Sequence, residues 1–381
     1  MMAIRHFDVA VLGGGAAGCP VAWFLARAGL RVCVVEPGVA GGGGASSMTG
    51  GIVRAYDPDP ALMQLSLRGV SLFAEWERHG LPGPSPLKRT GFHYLVAPEN
   101  IEAAAAGAQW LEEKGYPVMR RLPASCLQEL PFLRPDHPAP LALHEPMGGH
   151  GNARLTCQQL VRSLVDMGGT VLENAGSDIR LERAPHGWNI VLPHGTLRAS
   201  IAVVAAGQAT RDYLPQLPVF VRSIPLVRMQ GATVTPLVDE CNQTYFVPAG
   251  DGTFFCGSKC NTDLPHAAPV TDLPAVSRAM VEDARMRAAG VLHAGISPQP
   301  LGAIAGYDLY SANLRPQIGF AAEGLFTLAA FSGRGFKYCL AAGEAAANLV
   351  CEALGRTAPY AHACSLDAVA PQSCQPELEH A

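Results

Sequence analysis

The chain has 381 residues, 49% of them hydrophobic and 16% charged, with a formal net charge of −4. That composition excludes a mainly disordered chain, and without a long basic block it does not point to nucleic acid or an anionic membrane. No apolar run approaches the ~18 residues of a membrane span, no export signal opens the chain, and eleven scattered cysteines fit reduced thiols, so a cytoplasmic protein of two or three domains is expected.

Residues 4–12 read as a short buried strand, followed at once by Gly13-Gly14-Gly15-Ala16-Ala17-Gly18. A helical pattern comes next, closed by Gly29, and a second apolar strand, Leu30 to Val35, ends in Glu36. Strand, glycine turn, helix, strand and acid together predict a dinucleotide-binding unit. Gly13 permits the tight turn, Gly15 lets backbone approach a pyrophosphate, and Gly18 lets the helix pack on the strand. The helix start at Ala16 and Ala17 offers N–H groups to phosphate, and Glu36 can accept from ribose hydroxyls. The glycine- and hydroxyl-rich run 41–53 resembles the second nucleotide-contacting loop of glutathione-reductase-type FAD proteins. There Ser46 and Ser47 would donate to phosphate, and Gly50 and Gly51 would let backbone pass near a flavin.

Further along, helices are predicted at 60–80 and 99–115, a strand at 90–97, and an irregular proline-rich connection at 117–150. A helix at 155–167 and a strand at 168–173 precede a hairpin of 188–192 with 196–199. Residues 201–207 form a fully apolar strand that carries Gly207 toward the nucleotide. Residues 218–300 are β-rich, with a hairpin at 245–257 and a helix near 273–289. A strand at 325–330, the turn Ser332-Gly-Arg-Gly335 and a small-residue helix at 337–354 follow, and 361–381 reads as a loose tail. The predicted fold class is α/β (α+β overall): a glutathione-reductase-type FAD-binding Rossmann domain from 1–85, 146–215 and 301–360, with an inserted antiparallel-sheet substrate domain from 86–145 and 216–300.

Four motifs carry a family resemblance: the amino-terminal dinucleotide unit, Ile52-Val-Arg-Ala-Tyr56, Phe255-Cys-Gly-Ser-Lys259, and Phe331-Ser-Gly-Arg-Gly-Phe-Lys-Tyr338. On these the chain resembles the FAD-dependent amine and amino-acid oxidases of the D-amino-acid oxidase superfamily, in the branch of monomeric sarcosine, pipecolate and glycine oxidases. The resemblance implies an oxidase that takes a hydride from the C–N bond of an amine or amino acid, with O2 reduced to hydrogen peroxide. It implies Gly333, Arg334, Gly335 and Phe336 beside the flavin, Arg54 and Lys337 as cations for a substrate carboxylate, and Lys259 as the charge that activates dioxygen. Arg334 departs from the histidine of many relatives. Ala305 stands where several relatives attach flavin through cysteine, so non-covalent FAD is expected. Tyr94, Tyr245, Phe246, Phe254 and Tyr307 are candidates for an aromatic wall, and His150 is read as a turn residue. Cys256 and Cys260 are read as ordinary thiols, with no metal site expected. Two other readings share the fold: a 2-hydroxy-acid dehydrogenase passing electrons to a carrier, and a non-catalytic flavin-binding subunit.

Overall fold

The computed structural model describes residues 5–264 and 275–370. Its first sheet has eight strands with Arg5–Leu12 at the centre, parallel to Gly195–Val204 on one side and to Val32–Val35 on the other. Val, Ala and Leu fill these strands because both faces are covered. Gly195–Val204 is one ten-residue strand where the sequence suggested a hairpin arm and a separate strand. Its first half pairs antiparallel with Gly187–Leu192, and its end pairs parallel with Leu325–Ala329.

One side of this sheet is covered by the helices Gly18–Arg27 and Cys339–Ala353, which meet closely. A Cβ on Gly343 would stand 2.7 Å from Pro20 Cβ and 2.8 Å from the Val21 nitrogen. The small residues of the last helix are therefore what lets it lie against the helix that follows the glycine turn.

The second sheet has nine strands and is antiparallel except where Leu237–Asp239 runs alongside Phe92–Val96. The expected irregular stretch 117–150 supplies two of its strands, Met119–Arg121 and Leu141–Glu145. Prolines there end the strands rather than prevent them. Gln299–Ser311 is a thirteen-residue strand paired along Val219–Gln230, so the return to the first sheet comes at Gln317–Ala322 and not at 301. A three-stranded ribbon joins Ile52–Val53, Gly149–Gly151 and Leu87–Lys88. His150 is paired within it to Ile52 and Lys88.

The stretch from 361, expected as a loose tail, is packed on the core as far as it is described, to residue 370. Leu366 and Val369 are buried in the core of the first sheet, and Tyr360 donates its hydroxyl to the Phe24 carbonyl at 2.5 Å. Residues 371–381 lie outside the described residues. Among the described residues, no helix is long and apolar enough to cross a membrane.

Candidate functional site

At the carboxyl end of the first sheet, Gly13 takes φ +106°, and a Cβ there would lie 2.3 Å from the Ala205 carbonyl oxygen. Only glycine can make this turn. Gly18 does not reach the site. Its missing Cβ would lie 1.9 Å from the Gly13 carbonyl oxygen, so it serves the helix–strand packing alone. The Glu36 carboxylate accepts from Gly14 N–H at 2.7 Å and from Gly38 N–H at 2.9 Å, which fixes it beside the turn. Ser46 Oγ accepts from Ala16 N–H at 2.9 Å, tying the serine loop to the helix start. Ser47 is a correction: its hydroxyl donates to the Gly44 carbonyl at 3.0 Å, and the residue does not line the cavity.

These residues form one end of a cavity of about 1140 Å³, at or above the ~300–1,000 Å³ usual for ligand pockets. Apart from Gly18 and Ser47, every residue predicted to bind the cofactor lines it, Ala17 and Gly207 included. Its other end is built by the turn after Leu325–Ala329. Ala330 (φ +57°), Ser332 (+53°) and Gly333 (+75°) all adopt left-handed backbone, a strained arrangement for the two non-glycines. Asp308 holds the turn by accepting from Gly333 N–H at 2.8 Å. Gly51 at φ +71° lets the opposite wall approach, since a Cβ would sit 2.0 Å from the Gly151 carbonyl oxygen.

Two cations, Lys337 and Arg334, bond one carboxylate here, and a third, Arg54, acts on it from further away. Asp57 is buried, bonded by Lys337 Nζ and by Arg334 Nη1 at 3.0 Å. Burial alone would raise its pKa, but Lys337, Arg54 and Arg334 hold it well below the usual carboxylate range. Burial, with the like charge of Arg54, brings the Lys337 ammonium down to about 7 although Asp57 pulls the other way. Arg54 is 7% exposed, its guanidinium 5.1 Å from the Tyr94 ring centroid and 5.5 Å from that of Phe92. Its buried Nη1 has no hydrogen-bond partner among the described residues. Glu145, fully buried, grips the next two residues by accepting from Ala55 N–H at 2.6 Å and Tyr56 N–H at 3.0 Å. The backbone that follows Arg54 is thus held in place.

Other predicted residues fall elsewhere. Lys259 is exposed at the end of the strand Thr253–Gly257, its N–H donating to Asp283 at 2.8 Å, and it does not line the cavity. Tyr94 lies beneath Arg54 with its hydroxyl on Glu240 at 2.7 Å, so it supports the site without lining it. Phe246 and Phe254 pack on each other inside the second sheet's core. Tyr245 and Tyr307 do line the cavity. Sequence reasoning missed Asp57, Glu145 and Asp308. Asp57 had one signal, an acid directly after Arg-Ala-Tyr, while Glu145 and Asp308 had none, because their partners lie far away along the chain.

A cradle that excludes Cβ atoms, a carboxylate beside it and a long cavity with a cationic end fit a flavin dinucleotide. Residues 8–349 match the FAD dependent oxidoreductase (DAO) family, and the chain belongs to it. FAD is its cofactor, and the chain is an oxidoreductase. Among curated proteins it is 24% identical to the N-methyl-L-tryptophan oxidase of Yersinia pestis (strain Pestoides F), over 56% of this chain and 57% of that protein. The match therefore spans little more than half of that relative's length. In fold it is similar to the glycine oxidase of Geobacillus kaustophilus (TM-score 0.78, 20% identity, 96% of this chain and 98% of that one). It is also similar to the L-proline dehydrogenase of P. horikoshii (TM-score 0.79, 19% identity, 93% and 95%).

Proposed function

We propose that the chain oxidises the C–N bond of an amino acid or N-substituted amino acid to an imine, with O2 taking up the two electrons and two protons as hydrogen peroxide. The observation that carries this reading is the buried Arg54 guanidinium in the cationic end of the cavity, whose Nη1 has no hydrogen-bond partner among the described residues. Bound FAD supplies the hydride acceptor. Gly13, Gly15 and Ala16 would hold its phosphates, Glu36 its ribose, and Gly333 to Lys337 its ring end. Arg54 binds the substrate carboxylate with two parallel bonds and so orients the carbon that is oxidised. Asp57 keeps Lys337 and Arg334 in place beside it, leaving the cluster with excess positive charge toward an anionic substrate. Anaerobic bleaching of the purified holoprotein by a panel of amino acids, their amides and 2-hydroxy acids tests the reading. Amino acids should bleach the flavin and their amides should do so poorly. Bleaching by 2-hydroxy acids alone would sink it in favour of C–O chemistry.

FAD should be bound non-covalently. Ala305 pairs with Pro225 in the long strand of the second sheet and offers no thiol. Cys339 does line the cavity, but burial drives its pKa far above the ordinary thiol range, so no useful thiolate forms there. Acid precipitation should leave the yellow colour in the supernatant, whereas colour in the washed pellet refutes the expectation.

The relatives named as oxidases support O2 as acceptor. Lys259 is exposed and does not line the cavity, so its charge is screened by solvent and Lys259→Met should leave both anaerobic reduction and reoxidation unchanged. Stopped-flow timing of each half reads the two separately. Reoxidation slowed about 10²–10³-fold, the usual worth of one preorganised charge, would overturn this and make Lys259 the charge that activates dioxygen.

A further inference from the structure

On the far side of the strand that supports Arg54 lies a second polar cluster. Phe92 and Tyr94 face Arg54, and between them His93 points to the opposite face, as strand alternation requires. His93 stands directly across from His144 in the neighbouring strand Leu141–Glu145. Glu129, from the loop after the short helix Pro123–Cys126, closes the group. Its Oε2 is 3.4 Å from His93 Nε2 and 3.6 Å from His144 Nδ1, and the three ligand atoms all lie within 4.8 Å of one another.

His93 is 3% exposed, and among the described residues its ring nitrogens make no full hydrogen bond, Nε2 meeting only Glu129 Oε2 at 3.4 Å. His144 Nδ1 is buried and meets only the same oxygen, at 3.6 Å. Buried polar atoms left without partners are costly and call for an explanation.

We propose that His93, His144 and Glu129 form a zinc site, with solvent as the fourth ligand. Tetrahedral bonds of about 2.0–2.1 Å place ligand atoms about 3.3–3.4 Å apart, close to the separations found between Glu129 and the two histidines. Two imidazoles with one carboxylate are a donor set that zinc accepts. Arg121 donates to Glu129 Oε1 at 2.5 Å, which leaves Oε2 as a single ligand atom and fixes its direction. The two rings are stacked, with centroids 4.3 Å apart and planes 7° apart. An ion must lie near the plane of each ring it binds, so the stack opens as the ion enters. Glu129 is on the exposed side of the group and gives access from solvent. The ion would clamp the loop and both strands together, and so stiffen the strand whose other face carries Phe92 and Tyr94 against Arg54. Its role is to position that strand, not to take part in the oxidation.

The test uses FAD-loaded protein stripped of metal, then given zinc chloride or cobalt chloride and passed through metal-free gel filtration. Wild type should retain one equivalent of zinc per chain by elemental analysis, and cobalt should give tetrahedral d–d bands to the red of the flavin. His144→Ala and Glu129→Gln should retain normal flavin absorption. Their zinc affinity should fall by more than the roughly 10–100-fold that outer-shell changes cost. Zinc should raise the melting temperature of wild type and not that of Glu129→Gln. Failure of wild type to hold zinc overturns the proposal, as does equal retention by both variants, which would place the ion elsewhere. His93→Ala is avoided because it opens a void in the sheet's core.

Discussion

Asp57→Asn is expected to lower the melting temperature of the protein by about 4–6 °C. The substitution keeps the shape and removes the charge. Asp57 is the carboxylate onto which Lys337 and Arg334 both fold. Removing one partner of a buried ion pair costs about 3–5 kcal/mol, because the charge left behind has neither water nor a counter-ion. Lys337 can limit that cost by releasing its proton. Its pKa already lies at about 7 with Asp57 beside it, and without that carboxylate it falls further. A carboxylate inhibitor such as benzoate binds best to the protonated lysine. Its affinity should therefore decline with rising pH through the Lys337 pKa in wild type, and the decline should move to lower pH in Asp57→Asn. Adding Lys337→Met to Asp57→Asn should recover part of the lost stability, since the orphaned ammonium is then absent. A melting temperature within 1 °C of wild type (less than about 1 kcal/mol) would show that Asp57 is not the counter-ion of this cluster.

The nucleotide end of the cavity was legible in the sequence because its determinants are local. Gly13, Gly15 and Glu36 sit in one strand–turn–helix–strand unit, and each is specified by backbone sterics or by a fixed step along the chain. Even Ser46 lies within the same first fifty residues. The ring end was legible only as separate pieces. Arg54, Arg334 and Lys337 could be named, but the acid directly after Arg-Ala-Tyr did not announce itself as the partner of Arg334 and Lys337, because the pairing with Lys337 spans 280 residues. Glu145 was hidden further still. It reads as the end of a strand, and only the fold brings its carboxylate under the backbone of Ala55 and Tyr56. Lys259 shows the converse: a residue type suited to a site, just past the strand Thr253–Gly257, stands exposed and outside the cavity. In the strand Phe92–Val96 the period of two places Tyr94 under Arg54 and His93 behind it.

Arg54→Ala should strongly weaken the binding of carboxylate ligands without unfolding the protein, which separates it from Asp57→Asn. In the described structure the Arg54 guanidinium is buried, lies over two aromatic rings, and has no carboxylate within ion-pair distance. Cation–π contacts give back about 0.5–2 kcal/mol, less than the several kcal/mol of desolvation that a buried ion suffers. The position is thus a stored cost that a bound carboxylate relieves. Truncation removes both the cost and the reward. The melting temperature of the ligand-free variant should stay level or rise, as happens when strain kept for function is released. Benzoate or a substrate acid should bind more weakly by about 2–5 kcal/mol, roughly 30-fold to a few thousand-fold in Kd. Arg54→Lys should fall between the two, because an ammonium keeps the charge and loses the paired donors. FAD content should be unchanged in both variants, since the phosphate cradle lies at Gly13 and Gly15, at the other end of the cavity. Titration of the flavin absorbance with benzoate reads the affinity, and thermal melting with and without benzoate reads the stability. If benzoate binds Arg54→Ala as tightly as wild type, the charge serves the fold alone, and the substrate need not be an acid.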